Sequence, residues 1–184
     1  MSGNRPDGAA EVVVRTLEDD DLDAALTLWA ATEHLGPTPR EELDALRAHD
    51  PELVLAAVAV ADAADAPAGA LLGVVLGSFD GRRGWISRLA VAHAARRRGV
   101  ARRLVVEVER RLAARGCRQV NLLTFTENHA GRALWEALGY HGLEQVVLYS
   151  RRLHAPDRFD ARDRFDGPGR VDGHERVDDP GEGC

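Results

Sequence analysis

The run Arg96-Arg97-Arg98-Gly99-Val100-Ala101 stands directly after an apolar strand candidate at residues 85–92 and directly before a long amphipathic helical pattern. A turn placed there leaves several backbone N–H groups unpaired and aimed the same way, with the positive end of the helix dipole behind them. Such a turn is an anion cradle, and phosphate is its usual guest. Gly99 admits close approach of a ligand, and Ala101 is small enough to pack beside it. The side chains of Arg96, Arg97 and Arg98 add long-range attraction for a polyphosphate.

A second motif follows one strand candidate later: Asn128-His129-Ala130-Gly131-Arg132-Ala133-Leu134-Trp135-Glu136-Ala137-Leu138-Gly139-Tyr140. Together with Leu89-Ala90-Val91 ahead of the cradle, these pieces resemble the GNAT superfamily of acetyltransferases. Its acyl-CoA pyrophosphate motif reads Gln/Arg-x-x-Gly-x-Gly/Ala after a strand ending Leu-x-Val. The likeness covers residues 12–153 in element order and is sharpest over residues 81–140. Phe79-Asp80-Gly81-Arg82-Arg83-Gly84-Trp85 is similar to a group of small bacterial members of mostly unassigned substrate.

The resemblance implies an acyl-CoA-dependent N-acetyltransferase that moves an acetyl group from acetyl-CoA to a primary amine by direct attack in a ternary complex. Acetyl-CoA would be a co-substrate, with no metal. Amides from Arg97 to Arg102, including those of Gly99, Val100 and Ala101, would hold the pyrophosphate. The backbone of Leu89, Ala90 and Val91 would run along the pantetheine arm and face the thioester oxygen. Asn128 matches an asparagine whose side chain contacts that arm, while spacing alone makes it a helix N-cap; the two roles are compatible.

Aminolysis of a thioester also needs a neutral amine and a stabilised leaving thiolate. Seven residues after the asparagine many relatives carry a tyrosine that protonates the thiolate, and this chain has Trp135, whose indole can donate a hydrogen bond and no more. Tyr140 falls at an aromatic core position. Candidates for the base are Glu33 and His34, in a loop that lines the acceptor cleft in the family, and Glu127 at the end of the fifth strand. Ser87 and Arg88 flank the acyl position, and an inward Arg88 would favour an acidic acceptor. The alternative reading is a non-catalytic acyl-CoA sensor that keeps the cradle and has lost the acid.

The elements that must position these groups follow from periodicity. Residues 12–16 read as a first strand, and Asp19 to Asp21 as candidate helix caps ahead of Leu22, Ala25, Leu26 and Trp29 at helical spacing. Thr38-Pro39-Arg40-Glu41 predicts a capping box opening a helix through Leu43 and Leu46. Val- and Leu-rich runs at 53–60 and 69–79 predict antiparallel strands, and Asp80-Gly81 a hairpin turn into the strand at 85–92. From Val100 a helix should bury Leu104, Val105, Val108 and Leu112, pair Glu107 with Arg111, and stop at Gly116. A strand at 118–125, a helix at 130–138 and a last strand at 143–151 complete the pattern. The fold class is α/β: a GNAT-like mixed, mostly antiparallel sheet of six to seven strands flanked by about four helices.

With 184 residues, 45% of them hydrophobic, the chain suits one domain and a tail. The expected division is a disordered N-terminus at 1–11, the acetyltransferase domain at 12–153 and a disordered Asp/Arg/Gly-rich tail at 154–184. That tail contains the approximate repeat Asp157-Arg158-Phe159-Asp160 and Asp163-Arg164-Phe165-Asp166. A net charge of -6 argues against a general nucleic-acid binder, and a local basic patch on an acidic chain suits a small anionic ligand. Cys117 and Cys184 form no disulfide framework, the N-terminus has no apolar signal core, and no metal-ligand spacing of His or Cys occurs. The expected setting is cytoplasmic, with no membrane or nucleic-acid partner and a homodimer left open.

Overall fold

Every residue of the strand Val54–Ala59 (β2) is buried, because alternate side chains face two different helical layers. β2 pairs antiparallel with Val12–Thr16 (β1) and with Leu71–Phe79 (β3). β3 pairs antiparallel with Gly84–Val91 (β4), and Val120–Leu122 (β5) joins β4 in parallel, so the sheet order is β1-β2-β3-β4-β5. The computed structural model describes residues 11–63 and 66–151, and the chain divides into two units at residues 1–141 and 142–184. The terminal stretch 1–10 and the tail at 154–184, with its Phe159 and Phe165, lie outside the described residues.

On one face, Leu55, Ala57, Val75 and Ile86 pack against Val100, Leu104, Val105, Val108 and Leu112 of the helix Val100–Ala114 (α3). Each of these α3 side chains is buried, worth roughly 1.5–3 kcal/mol apiece. On the other face, Val54, Ala56, Val58, Val74, Leu76 and Ala90 pack against Leu22, Ala25 and Trp29 of the helix Leu22–Ala30 (α1) and Leu43 of Arg40–His49 (α2). The fourth helix, His129–Ala137 (α4), ends at Gly139, whose φ of 91° is left-handed.

β3 carries glycine beneath α3, where a side chain would collide with the helix. A Cβ on Gly73 would come within 3.1 Å of Val100 and Leu104 and 3.0 Å of the Ala90 carbonyl oxygen; one on Gly77 would come 2.9 Å from Val108. The helix is fastened along its length as well. Arg103 donates to the Val12 carbonyl (3.0 Å), Arg111 to Glu107 and the Glu52 carbonyl (each 2.7 Å), and Arg115 pairs with Asp50 and Glu52. The entry to α1 is held by the buried Asp21, which accepts from Arg15 (3.1 Å) and the Glu18 N–H (2.9 Å).

Three expectations are corrected. The sheet has five strands among the described residues, and β5 spans three residues where eight were expected. Residues 143–151 form no strand, although Val146, Val147 and Tyr149 have high β-propensity. A strand is a paired state, so propensity alone does not make one. The capping box at Thr38 does not form: Pro39 takes the N-cap position, the N–H groups of Glu42 and Leu43 bond back to its carbonyl, and the Thr38 hydroxyl is buried without a hydrogen-bond partner. Proline pushes the residue before it into extended backbone, which turns Thr38 away from the helix axis.

Candidate active site

The cradle forms where the sequence places it. Gly99 is the N-cap of α3 with a left-handed φ of 77°, and Arg97 two residues earlier has φ 63°. The first bond of the helical ladder runs from the Arg103 N–H to the Gly99 carbonyl (3.0 Å), so the N–H groups of Ala101 and Arg102 precede it. No side chain caps this helix start. A Cβ at Gly99 would meet no protein atom within 4 Å, so glycine is required by its φ rather than by crowding. Val100 is buried and seats the turn on the core, while Arg96, Arg97, Arg98 and Arg102 are exposed. Arg96 is more than a solvated charge, because its Nε donates to the Val91 carbonyl (3.3 Å) and ties the cradle to the end of β4.

β4 itself is irregular at this point. Val74 faces Ala90 and Leu76 faces Ser87, so Arg88 and Leu89 together oppose Val75 in a β-bulge. Pairing of β4 with β5 covers only Gly84, Trp85 and Ile86, so among the described residues the outer edge of 87–91 has no strand partner. The Ala92 N–H bonds to the Leu72 carbonyl (2.9 Å) toward β3; by alternation Leu89 and Val91 direct their N–H groups to the outer side. Two main-chain donors therefore line the same edge to which Arg96 fastens the cradle.

The loop 31–39 closes the other side. Arg88, with φ 51°, accepts a hydrogen bond at its carbonyl from the buried Trp29 indole (2.8 Å). Its guanidinium lies 5.5 Å over the Trp29 ring, 3.4 Å from the Leu35 carbonyl and 3.9 Å from Glu42. His34, with φ 68°, stacks at a tilt on Phe125 (5.4 Å) and sits 3.7 Å from Glu33. Glu127 accepts from the Thr126 hydroxyl (2.7 Å), and this bond, its own backbone N–H and the nearby His34 and His129 hold its carboxyl below the usual range. Glu33, His34 and Glu127 are thus brought together. His34, Arg88 and Arg97 are the three non-glycine residues with left-handed φ among the described residues, at roughly 1 kcal/mol of strain each, and they fall in the loop 31–39, the β4 bulge and the turn before α3.

The model of the acetyltransferase (GNAT) family matches residues 22–140, about two thirds of the chain and all of the segments just described. The chain belongs to the GNAT acetyltransferase family. An acetyltransferase of Sodalis glossinidius is 34% identical over 142 residues, covering 76% of this chain and 94% of that one. One of Photorhabdus laumondii is 34% identical over 143 residues with the same coverage. Among solved structures, Ard1 from Thermoplasma volcanium superposes with a TM-score of 0.61 at 19% identity, over 70% of this chain and 81% of that one. The aminoglycoside N-acetyltransferase AAC(6')-Iy, in complex with a CoA bisubstrate analogue, has a TM-score of 0.60 at 22% identity over 78% and 100%. These two show a common fold.

The remaining family positions fall as follows. Asn128 caps α4, its Oδ1 accepting the Gly131 N–H at 2.9 Å. Trp135 is half-buried against the core beneath α3 and meets Tyr140 edge-on at 5.3 Å. The Tyr140 hydroxyl donates to Glu109 on α3 (2.6 Å), and burial together with that carboxylate raises its pKa well above the phenolic range. The Tyr140 hydroxyl is thus engaged on α3. Among the described residues no cluster of three His, Cys, Asp or Glu is grouped to hold a metal ion, and no helix is long and apolar enough to cross a membrane. Sequence reasoning missed the Trp29 indole as a donor to β4, whose signal was confined to its place in the apolar stripe of α1. It leaves open whether Ser87 or Arg88 points into the cleft, and the Arg88 guanidinium is directed to the Leu35 carbonyl and Glu42.

Proposed function

We propose that this acetyltransferase moves an acetyl group from acetyl-CoA to a primary amine by direct attack in a ternary complex. The observation that carries the reading is the bond from Arg96 to Val91, because it joins the turn at the start of α3 to an edge with two outward N–H groups. The amides around Gly99 hold the pyrophosphate, and the Leu89 and Val91 N–H groups hold the pantetheine arm and polarise the thioester oxygen. The arm then runs along β4 toward the loop 31–39.

The amine nitrogen attacks the thioester carbon, forming the C–N bond as the C–S bond breaks and the thiolate leaves. An imidazole can accept the amine proton near neutral pH, whereas a carboxylate held low, such as Glu127, keeps its charge and steadies the cation beside it. His34 is therefore assigned the proton and Glu127 the supporting charge, with Glu33 at the mouth. The Tyr140 hydroxyl is bonded to Glu109 and the Trp135 indole can donate a hydrogen bond at most, so water returns the proton. Direct attack is supported by Cys117, a partly buried thiol that donates to the Gln119 carbonyl (3.2 Å) beyond the far end of α3. The domain assigned to this work is residues 12–153, in a cytoplasmic setting.

Calorimetric titration with acetyl-CoA, followed by thiol release over a panel of amines, tests the reading. The panel holds an amino-acid amide, a polyamine, an aminoglycoside and peptides with free N-termini or lysine. The chain contains no lysine, so any acetyl-lysine signal belongs to the acceptor. Binding with turnover supports the proposal; tight binding without turnover on any amine favours the sensor, a reading motivated by Trp135 in place of the usual tyrosine.

A further inference from the structure

Position 88 has a left-handed backbone, which glycine would adopt without strain, yet an arginine stands there and both ends of it are used. Its carbonyl receives the Trp29 indole from α1 (2.8 Å). Its guanidinium covers the Trp29 ring, reaches the Leu35 carbonyl in the loop 31–39 (3.4 Å) and lies 3.9 Å from Glu42 on α2. One residue thereby binds the bulge of β4 to the helix before the loop, to the loop itself and to the helix after it. A side chain that merely filled space would need neither a planar cation nor a carbonyl partner. The cradle, by contrast, is tied to β4 through Arg96 and Val91, three residues further along the strand.

We propose that Arg88 is a positioning residue that locks the loop 31–39 onto the outer edge of β4 and so sets where the amine meets the thioester. This rests on the functional reading given above. The guanidinium is consumed within the protein, so it serves the acceptor by holding the wall of its cleft rather than by binding an acidic group. Loss of the side chain therefore acts on the acceptor and leaves acetyl-CoA binding intact.

Arg88→Gly removes the side chain and relieves the left-handed backbone, and Arg88→Lys keeps a charge without the planar group over Trp29. Three measurements are made on each: amide hydrogen exchange in residues 31–39, acetyl-CoA affinity by calorimetry, and kcat and KM for the amine of the panel turned over fastest. In Arg88→Gly, exchange in 31–39 speeds up about tenfold, KM for the amine rises about tenfold with a smaller change in kcat, and acetyl-CoA affinity stays within about twofold; Arg88→Lys falls between. Wild-type exchange in 31–39, or an unchanged amine KM, overturns the proposal. An acetyl-CoA affinity weakened as much as the amine KM overturns it too, since Arg88 would then support the bulge as a whole. If the wild-type protein binds no acetyl-CoA, the functional reading fails on its own while the exchange measurement still decides whether Arg88 holds the loop.

Discussion

Gly99 carries its role in its backbone, because its φ of 77° is left-handed and the space beside its Cα is open to any side chain. Gly99→Ala thus introduces strain without a clash, roughly 1 kcal/mol, and the cradle relieves it by turning its amides; acetyl-CoA affinity should fall about five- to tenfold by calorimetry. An unchanged affinity would show that the diphosphate does not sit on this turn. Tyr140 makes the opposite case. Its hydroxyl is spent on Glu109, so Tyr140→Phe should leave kcat/KM within about twofold while lowering unfolding free energy by about 1 kcal/mol in urea. A large loss of kcat would instead make the tyrosine the acid. At this scale the sequence was legible where residue type alone decides, as at Gly99 and the Asn128 cap. It placed Arg88 beside the acyl position but not its partners, because no local pattern marks an arginine whose left-handed backbone serves contacts 50 residues and more away.

Helix α3 is the element on which the site depends, and its depth is set by the glycines of β3. Gly73→Ala would press a Cβ on the Ala90 carbonyl oxygen (3.0 Å) and on Val100 (3.1 Å), the residue that seats the cradle. The backbone oxygen cannot swing aside, so the cost is about 1–3 kcal/mol in denaturant unfolding, with weakened acetyl-CoA binding because the helix start is displaced. A variant with normal stability and binding would contradict the role given to this contact. The apolar stripes of α1 and α3, the glycine stops at Gly116 and Gly139 and the turn at Asp80-Gly81 were all readable, since each is a local consequence of periodicity or of φ. The bulge in β4, the early end of β5 and the failure of Thr38 to cap were not, because they follow from register and from the chain on either side rather than from propensity.

For the molecule as a whole, acid should be the sensitive direction. Burial raises the Asp21 pKa, but the bonds from Arg15 and the Glu18 N–H and the charge of Arg47 outweigh it and hold the carboxyl below its ordinary 3.8. The Arg110 bond, helped by Arg111 and opposed by burial, draws Glu107 from 4.5 to about 2. Both bind protons less readily folded than unfolded, so their stabilisation is complete above about pH 4.5 and drains away as pH falls through the folded values. The melting temperature should drop between about pH 4.5 and 2, and Asp21→Asn, which leaves Arg15 without its buried partner, should cost about 2–4 kcal/mol at neutral pH and flatten that dependence. A melting temperature indifferent to acid would remove Asp21 from the account of stability. The central claim, that the start of α3 and the outer edge of β4 hold one acyl-CoA between them, is tested most directly by titrating the isotope-labelled protein with acetyl-CoA and following each backbone amide by NMR. The largest shifts should fall on Gly99 to Arg102 together with Leu89 and Val91; shifts confined to other residues, or none at saturating acetyl-CoA, would contradict it.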